Sequence, residues 1–273
     1  MPNHVTNRLT IIGNEQEVAK CLAEIKGTRE DQFIDFNTFA PIPQELEGTQ
    51  SPTKIISKKE YDEQERRIAN NELSDIEKQW GVSRGITKEM SNKFNDEFGH
   101  DNWYDWQIAN WGTKWNAYDQ LKNESEPIIE FHTAWSTPLG AMLVMSEKYS
   151  TLRFKVEYAD EDFGYNVGEY TLENGECIGE NVPKGGSSEA LKMAMEIRGD
   201  NEYYLVDYLC ENVEDEVDEF TDSLVVLAHE QQYLVDDYAV VVLNRLKELA
   251  LADEQYERVA EIDKLLKVKE TTE

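Results

Sequence analysis

The alternation of apolar and polar positions predicts mixed α and β structure in the first part of the chain. Residues 5–13 are rich in β-branched side chains and end at a Gly-Asn turn, which predicts a strand. Residues 15–25 place three apolar side chains at helical spacing, which predicts a helix. Two prolines close residues 32–43, so this segment is expected to be a second strand that ends sharply.

The next segment has a different pattern, because residues 44–102 are mostly polar and charged. Helical spacing recurs in residues 58–80 and 87–98, but with few large apolar side chains. An amphipathic pattern with a thin apolar stripe is typical of a helix that buries little surface. The segment is therefore expected to be a helical insertion lying over the surface.

Clear strand and helix patterns resume near residue 127. A strand is expected at 127–135, a helix from Ser136-Thr137-Pro138 to about residue 149, and strands at 152–158 and 165–177. The last strand is expected to end at the turn dipeptide Asn174-Gly175. The order strand, helix, strand, insertion, strand, helix, strand, followed by an edge strand, predicts an α+β fold, a ferredoxin-like split βαβ sandwich.

Five motifs carry a resemblance to a known family. They are MPNHVTNRLTIIG, FAPIPQEL, NWGTKWNAYD, FHTAWSTP and EYADEDFG, spread over about residues 1–177. In this order they resemble the YubB-type ferredoxin-like family of phage and plasmid proteins. The resemblance implies the fold and an origin in a mobile element. It implies no activity and no catalytic residue.

A second domain is expected after a linker at residues 181–188, where the pattern becomes almost purely helical. The predicted domains are residues 1–180, with the insertion at about 44–102, and residues 187–268. The end of the second domain, residues 243–268, resembles the UVR helical hairpin, which docks proteins in excision repair. An ordinary helical hairpin is the alternative.

The net charge of the chain limits the classes of partner that it can bind. The chain has 27 basic and 56 acidic residues, a formal net charge of −29, which repels nucleic acid and anionic membranes. Residues 199–244 contain 13 Asp or Glu residues and no Lys or Arg. Five acidic side chains gather beside an apolar helical stripe and are predicted to bind a partner: Glu214, Asp215, Asp218, Glu219 and Asp222.

The expected partner is a host protein with a basic surface, such as a nucleic-acid-handling defence enzyme that accepts carboxylates in place of phosphates. The simpler alternative is that the charge only keeps the protein in solution. The three cysteines form no paired motif, and no apolar run is long enough to span a membrane, which predicts a cytoplasmic protein. The resemblance to phage and plasmid proteins implies that this is the cytoplasm of a host cell.

Aromatic residues concentrate in residues 103–135, which hold five of the six tryptophans. They form either a core or a recognition surface. As a ligand site, Trp111 and Trp115 would share a helical face and orient a nucleotide or a sugar. The predicted ligand-binding residues are Asn110, Trp111, Lys114, Trp115 and Asp119. Alternatively, Lys114 and Asp119 simply pair with each other.

Motifs for catalysis and for cofactors are not found. The four histidines lack metal-ligand spacing, and the sequence contains no P-loop and no GxSxG motif. No catalytic residue, metal or cofactor is therefore predicted. An uncharacterised enzyme with a carboxylate-based site is the third hypothesis, after partner binding and ligand binding.

Overall fold

The computed structural model describes residues 3–123 and 125–199, together with Lys247, Leu251, Val259, Ala260 and Asp263. The predicted partner-binding residues between Glu214 and Asp222 lie outside the described residues. Apart from those five positions, so does the predicted hairpin at 243–268. The acidic helical domain therefore stays a prediction.

The chain divides into two compact units. The first comprises residues 1–161 and 169–181, and the second comprises residues 162–168 and 182–273. The first unit contains the sheet and the tryptophan-rich segment, so it positions the candidate site described below.

The first unit is built on a six-stranded antiparallel sheet with the order β2-β3-β1-β4-β5-β6. The strands are β1 (His4–Ile12), β2 (Tyr118–Lys122), β3 (Ile128–Ala134), β4 (Arg153–Asp160), β5 (Val167–Glu173) and β6 (Glu176–Asn181). β1 pairs antiparallel with both β3 and β4, so Leu9 lies between Ile129 and Val156. The arrangement of β1 to β4 confirms the predicted ferredoxin-like α+β fold.

Helices lie between and after these strands along the chain. They are α1 (Glu15–Glu24), α2 (Lys58–Ala69), α3 (Asp75–Trp80), α4 (Lys88–Phe98), α5 (Trp103–Trp111), α6 (Leu139–Lys148) and α7 (Ser188–Arg198). The buried side chains of α1 and α6, including Cys21 and Met145, join a core with the inward-facing residues of β1, including Leu9. Among the described residues, no helix is long and apolar enough to span a membrane.

Alternation along the strands separates the two faces of the sheet. In β1 every second residue is buried, and in β4 Phe154 and Val156 are buried while Arg153 is exposed. The other face carries ion pairs across neighbouring strands, such as Arg8 with Glu130 at 2.9 Å. The period-two pattern of residues 152–158 therefore predicted β4 and its buried face correctly.

The second strand predicted at residues 32–43 is wrong. This segment contains a 3-10 helix at Phe36–Thr38, and the second strand of the split βαβ unit is β2. The segment buries Ile34 and Phe36, but side-chain amides take the place of a neighbouring strand. Gln120 accepts a hydrogen bond from the backbone N–H of Ile34, and Asn116 accepts one from that of Phe36.

Residues 44–102 contain the 3-10 helix Gln44–Leu46 and the helices α2, α3 and α4. α2 has no buried side chain, which agrees with its thin apolar stripe. However, Leu46, Ile86 and Phe94 are buried in the main core. The segment as a whole therefore does not lie over the surface, and part of it completes the core.

The hairpin between β5 and β6 confirms the predicted turn. Asn174 has a φ of 50° and Gly175 a φ of 78°, and Glu173 lies opposite Glu176 across this two-residue loop. Two successive positive φ angles are those of a type I′ turn, for which Asn-Gly is the favoured sequence.

In the second unit, the described residues centre on α7. Ser187 caps the helix by accepting a hydrogen bond from the backbone N–H of Ala190, and Gly199 ends it with a φ of 70°. Phe163 is buried, and the guanidinium of Arg198 lies 5.9 Å from the centroid of its ring. The loop after β4 is thus fastened to α7.

Candidate functional site

α5 ends inside the tryptophan-rich segment. Asn102 caps its first turn by accepting a hydrogen bond from the backbone N–H of Asp105. Gly112 ends it in the left-handed conformation, with a φ of 83°, as is common at helix C-termini. The predicted helical face shared by Trp111 and Trp115 is therefore wrong, because Trp111 is the last helical residue and Trp115 lies in the following loop.

Two of the tryptophans belong to the core. Trp111 is 1% exposed, and its indole N–H donates a hydrogen bond of 2.7 Å to the carbonyl of Ala40. Its ring meets Phe36 and Trp106 edge to face, at centroid distances of 5.5 Å and 5.9 Å. Trp111 cannot contact a ligand without unfolding this core, so it is removed from the candidate site.

Two other tryptophans are exposed around a cation. The Nζ atom of Lys114 lies 4.8 Å from the ring centroids of both Trp115 and Trp135, and 5.8 Å from that of Tyr104. Trp115 is 36% exposed and Trp135 is 42% exposed. We call Tyr104, Lys114, Trp115 and Trp135 the aromatic–lysine cluster. Its geometry is that of cation–π contacts on a surface.

The remaining predicted ligand residues lie apart from the aromatic–lysine cluster. Asn110 donates a hydrogen bond to the carbonyl of Trp106 within its own helix. Asp119 lies 3.6 Å from Nδ1 of His132, and no ion pair joins it to Lys114 within the described part of the chain. Of the five predicted residues, the structure therefore brings only Lys114 and Trp115 together, with Lys114 half-buried and Trp115 exposed.

A groove of about 450 Å³ lies beside Trp115. Side chains of α5, of the loop before β2 and of two segments preceding α4 line it. They include Thr49, Ser83, Trp103, Gln107, Trp115 and Asn116. Gln107 is distinctive, because its side-chain carbonyl oxygen is buried and has no hydrogen-bond partner among the described residues.

The sequence did not predict that Trp103 and Gln107 line one groove. They are four residues apart, so they share a face of α5. That spacing became informative only once the bounds of α5 were known. Thr49 and Ser83 carried no signal, because their positions depend on the path of the segment between α1 and α5.

A polar cluster on the sheet was also missed. Nδ1 of His4 lies 2.6 Å from the hydroxyl of Tyr118, which donates to the carbonyl of Thr133. Burial, followed by the negative charges of Asp119 and Glu161, raises the pKa of Tyr118 to about 12. Three different strands supply these residues, so no local motif revealed them. Within the described residues, no group of three His, Cys, Asp or Glu side chains is placed to hold a metal ion.

Comparison with known proteins agrees with a ferredoxin-like α+β fold. Residues 110–207 match the family model for the ferredoxin-like domain in Api92-like protein. The matched residues begin at the end of α5 and include β2 to β6, so they contain Lys114, Trp115 and Trp135. The match is to a ferredoxin-like domain and not to a known enzyme family.

A solved structure, protein api92 from Yersinia pseudotuberculosis, is similar to this chain with 11% sequence identity and a TM-score of 0.36. The similarity covers 68% of this chain and 99% of that one. No curated protein has a matching sequence.

Proposed function

We propose that this chain is a binding protein without catalytic activity, and that the aromatic–lysine cluster contacts a host protein. The observation that supports this proposal most strongly is that Trp115 and Trp135 are exposed around Lys114. Tryptophan is enriched among the residues that dominate the binding energy of protein interfaces. Large aromatic side chains grouped on a surface are typical of an interaction site.

The backbone of Trp135 supports this proposal. Trp135 has a φ of 70°, a left-handed conformation that is unusual for a bulky side chain. Its N–H donates a hydrogen bond to the carbonyl of Asn3, which holds the backbone in place. Strained residues of this kind cluster at functional sites, where the rest of the fold offsets a cost of about 1–3 kcal/mol. A strained and half-exposed tryptophan contributes little to a core, so a role in contact explains it better.

The proposal also covers the origin of the protein and the charge of its partner. Five motifs similar to the YubB-type family support an origin in a phage or plasmid, and hence action in the cytoplasm of a host cell. The proposal includes two features of the chain. Residues at about 44–102 are an insertion in the ferredoxin-like fold, and residues 187–268 form an acidic helical domain with a UVR-like hairpin. A net charge of −29 favours a host partner with a basic surface.

The second proposed contact is acidic and imitates nucleic acid. It consists of Glu214, Asp215, Asp218, Glu219 and Asp222, which lie in a stretch of acidic residues without a basic one. Carboxylates at helical spacing would occupy a groove that normally binds phosphates, and nucleic acid would compete for it. A host defence enzyme that handles nucleic acid is a partner of this kind.

The test is capture of host proteins on the immobilised full chain, followed by a comparison of variants. Trp115→Ala combined with Trp135→Ala should abolish capture of the specific partner. Ile76→Ala is the matched control, since Ile76 is 73% exposed and lies outside the aromatic–lysine cluster. Replacing the five acidic residues by Gln or Asn should weaken capture and its salt dependence. Equal capture by wild type and by the double tryptophan variant would contradict the proposal.

A further inference from the structure

The groove beside Trp115 has the dimensions and walls of a small-molecule site. Its volume of about 450 Å³ falls within the range of roughly 300–1,000 Å³ typical of ligand pockets. One wall holds Trp103 and Gln107 from α5, and Trp115 comes from the loop that follows. The facing segments, residues 48–49 and 82–83, present mainly small side chains and backbone. Aromatic surface and a side-chain amide therefore face the same space.

Gln107 provides an acceptor that the protein itself leaves unused. Its Oε1 atom is buried, and no donor in the described part of the chain reaches it. Native proteins rarely leave a buried acceptor without a partner. Gln107 lines the groove, so a ligand N–H or O–H would satisfy this oxygen once the side-chain amide turns toward the groove. The unpaired oxygen therefore points to a ligand with a hydrogen-bond donor.

Two other polar side chains of the groove are already engaged within the fold. Asn116 accepts hydrogen bonds from the backbone N–H groups of Phe36 and Ala117 and donates to Asp35. Thr49 donates to a backbone carbonyl and accepts from the N–H of Trp103. Asn116 and Thr49 therefore have little hydrogen-bonding capacity left for a ligand.

We propose that the groove binds an uncharged nucleobase or nucleoside. The indoles of Trp103 and Trp115 line the groove, and aromatic side chains are surfaces on which planar bases stack. Gln107 accepts a hydrogen bond from an amino or imino group of the base. A nucleobase needs only one or two such contacts, which a single side-chain amide can supply.

Two other ligand classes fit less well. A sugar exposes many hydroxyl groups, and most of them would lack a partner in a groove whose Asn116 and Thr49 are occupied. A phosphate would enter next to the carboxylate of Glu47, on a protein with a net charge of −29. The chemistry of the groove therefore favours a neutral heterocycle.

The test is titration of adenosine, guanosine, cytidine and uridine into the full chain, followed by calorimetry and tryptophan fluorescence. At least one nucleoside should bind saturably. Gln107→Leu should weaken that binding about tenfold or more, which corresponds to roughly 1.4 kcal/mol. Asn110→Leu is the matched control, because Asn110 lies on the same helix outside the groove, and its binding should equal that of wild type. Circular dichroism establishes that both variants are folded.

Further arms separate the ligand classes. Glucose and N-acetylglucosamine should not bind measurably, and adenosine 5′-monophosphate should bind more weakly than adenosine. Trp115→Ala should reduce nucleoside binding, whereas Trp135→Ala should leave it unchanged, because Trp135 does not line the groove. The inference fails if no nucleoside binds saturably, if Gln107→Leu binds as wild type does, or if a sugar binds as tightly. Trp135→Ala should weaken the host-protein contact and leave nucleoside binding unchanged. The proposed host-protein contact and the proposed nucleoside site can therefore fail separately.

Discussion

The Nζ atom of Lys114 lies 4.8 Å from the centroid of the Trp135 ring, which joins the loop after α5 to the residue that follows β3. The contact connects two segments that are twenty-one residues apart in the chain. It places a cation between aromatic rings on the surface of an acidic protein. The ammonium therefore orients Trp115 and Trp135 without burying them.

Lys114→Met tests this orienting role. The methionine keeps the apolar stem and removes the charge, so the free energy of unfolding should fall by about 0.5–1 kcal/mol, the size of a cation–π contact at an exposed site. Urea denaturation measures the change. Lys114→Arg keeps a cation over the rings and should remain within about 0.5 kcal/mol of wild type. If the methionine variant is as stable as wild type, the ammonium does not hold the rings.

The left-handed backbone of Trp135 predicts an unusual order of stability. Trp135→Gly and Trp135→Ala both remove the indole, but only glycine adopts a φ of 70° without steric cost. The glycine variant should therefore be more stable than the alanine variant by about 0.5–1 kcal/mol, even though glycine is normally the less stable choice. Parallel thermal and urea denaturation measures the difference. The reverse order would show that the backbone of Trp135 is not strained.

The two tryptophans at positions 111 and 115 should respond very differently to substitution. Trp111→Ala empties a fully buried site and should cost about 3–5 kcal/mol. If that variant does not fold, Trp111→Phe retains most of the volume but loses the hydrogen bond to Ala40. Trp115→Ala, at an exposed site, should cost about 1 kcal/mol or less. Equal losses at the two positions would contradict the assignment of one to the core and the other to the surface.

Tyr118 predicts a pH dependence at the alkaline end. Its pKa rises from about 10 in the unfolded chain to about 12 in the fold, mainly because burial disfavours the phenolate. The folded state therefore keeps the proton longer, so the stabilisation is complete below pH 10 and is lost as pH rises through 12. Tyr118→Phe should flatten this decline.

Absorbance of tyrosinate during an alkaline titration measures the effect. The difference between wild type and Tyr118→Phe should show one ionisation centred near pH 12. Asp119→Asn should move that ionisation to lower pH, because the neighbouring negative charge opposes the phenolate. A difference curve centred near pH 10 would show that Tyr118 is not perturbed.

The sequence predicted the regular part of the fold because its signals are local. Phe154, Val156 and Tyr158 alternate with charged residues, and Asn174-Gly175 is favoured only in a narrow class of turns. The strand predicted at residues 32–43 is wrong for the opposite reason. Their apolar residues are buried as expected, but their backbone bonds to side chains of Asn116 and Gln120, about eighty residues away. No local pattern reports such a partner.

The candidate site was predicted only in part. The density of tryptophan identified the correct segment, and Lys114 and Trp115 are in contact there. Helical spacing failed between Trp111 and Trp115 because Gly112 ends α5 between them. Gln107 had no distinguishing sequence feature. Its importance comes from an unpaired buried oxygen, which only the packing of several segments creates.

Protection of the aromatic–lysine cluster by a purified host partner tests the central claim most directly. N-bromosuccinimide oxidises accessible indoles, and mass spectrometry of peptides reports the rate at each tryptophan. Trp115 and Trp135 should react in the free protein, and the partner should slow both rates at least tenfold. Trp111 should remain unreactive in both states, because it is 1% exposed. Unchanged oxidation of Trp115 and Trp135 in the saturated complex would contradict a contact through this cluster.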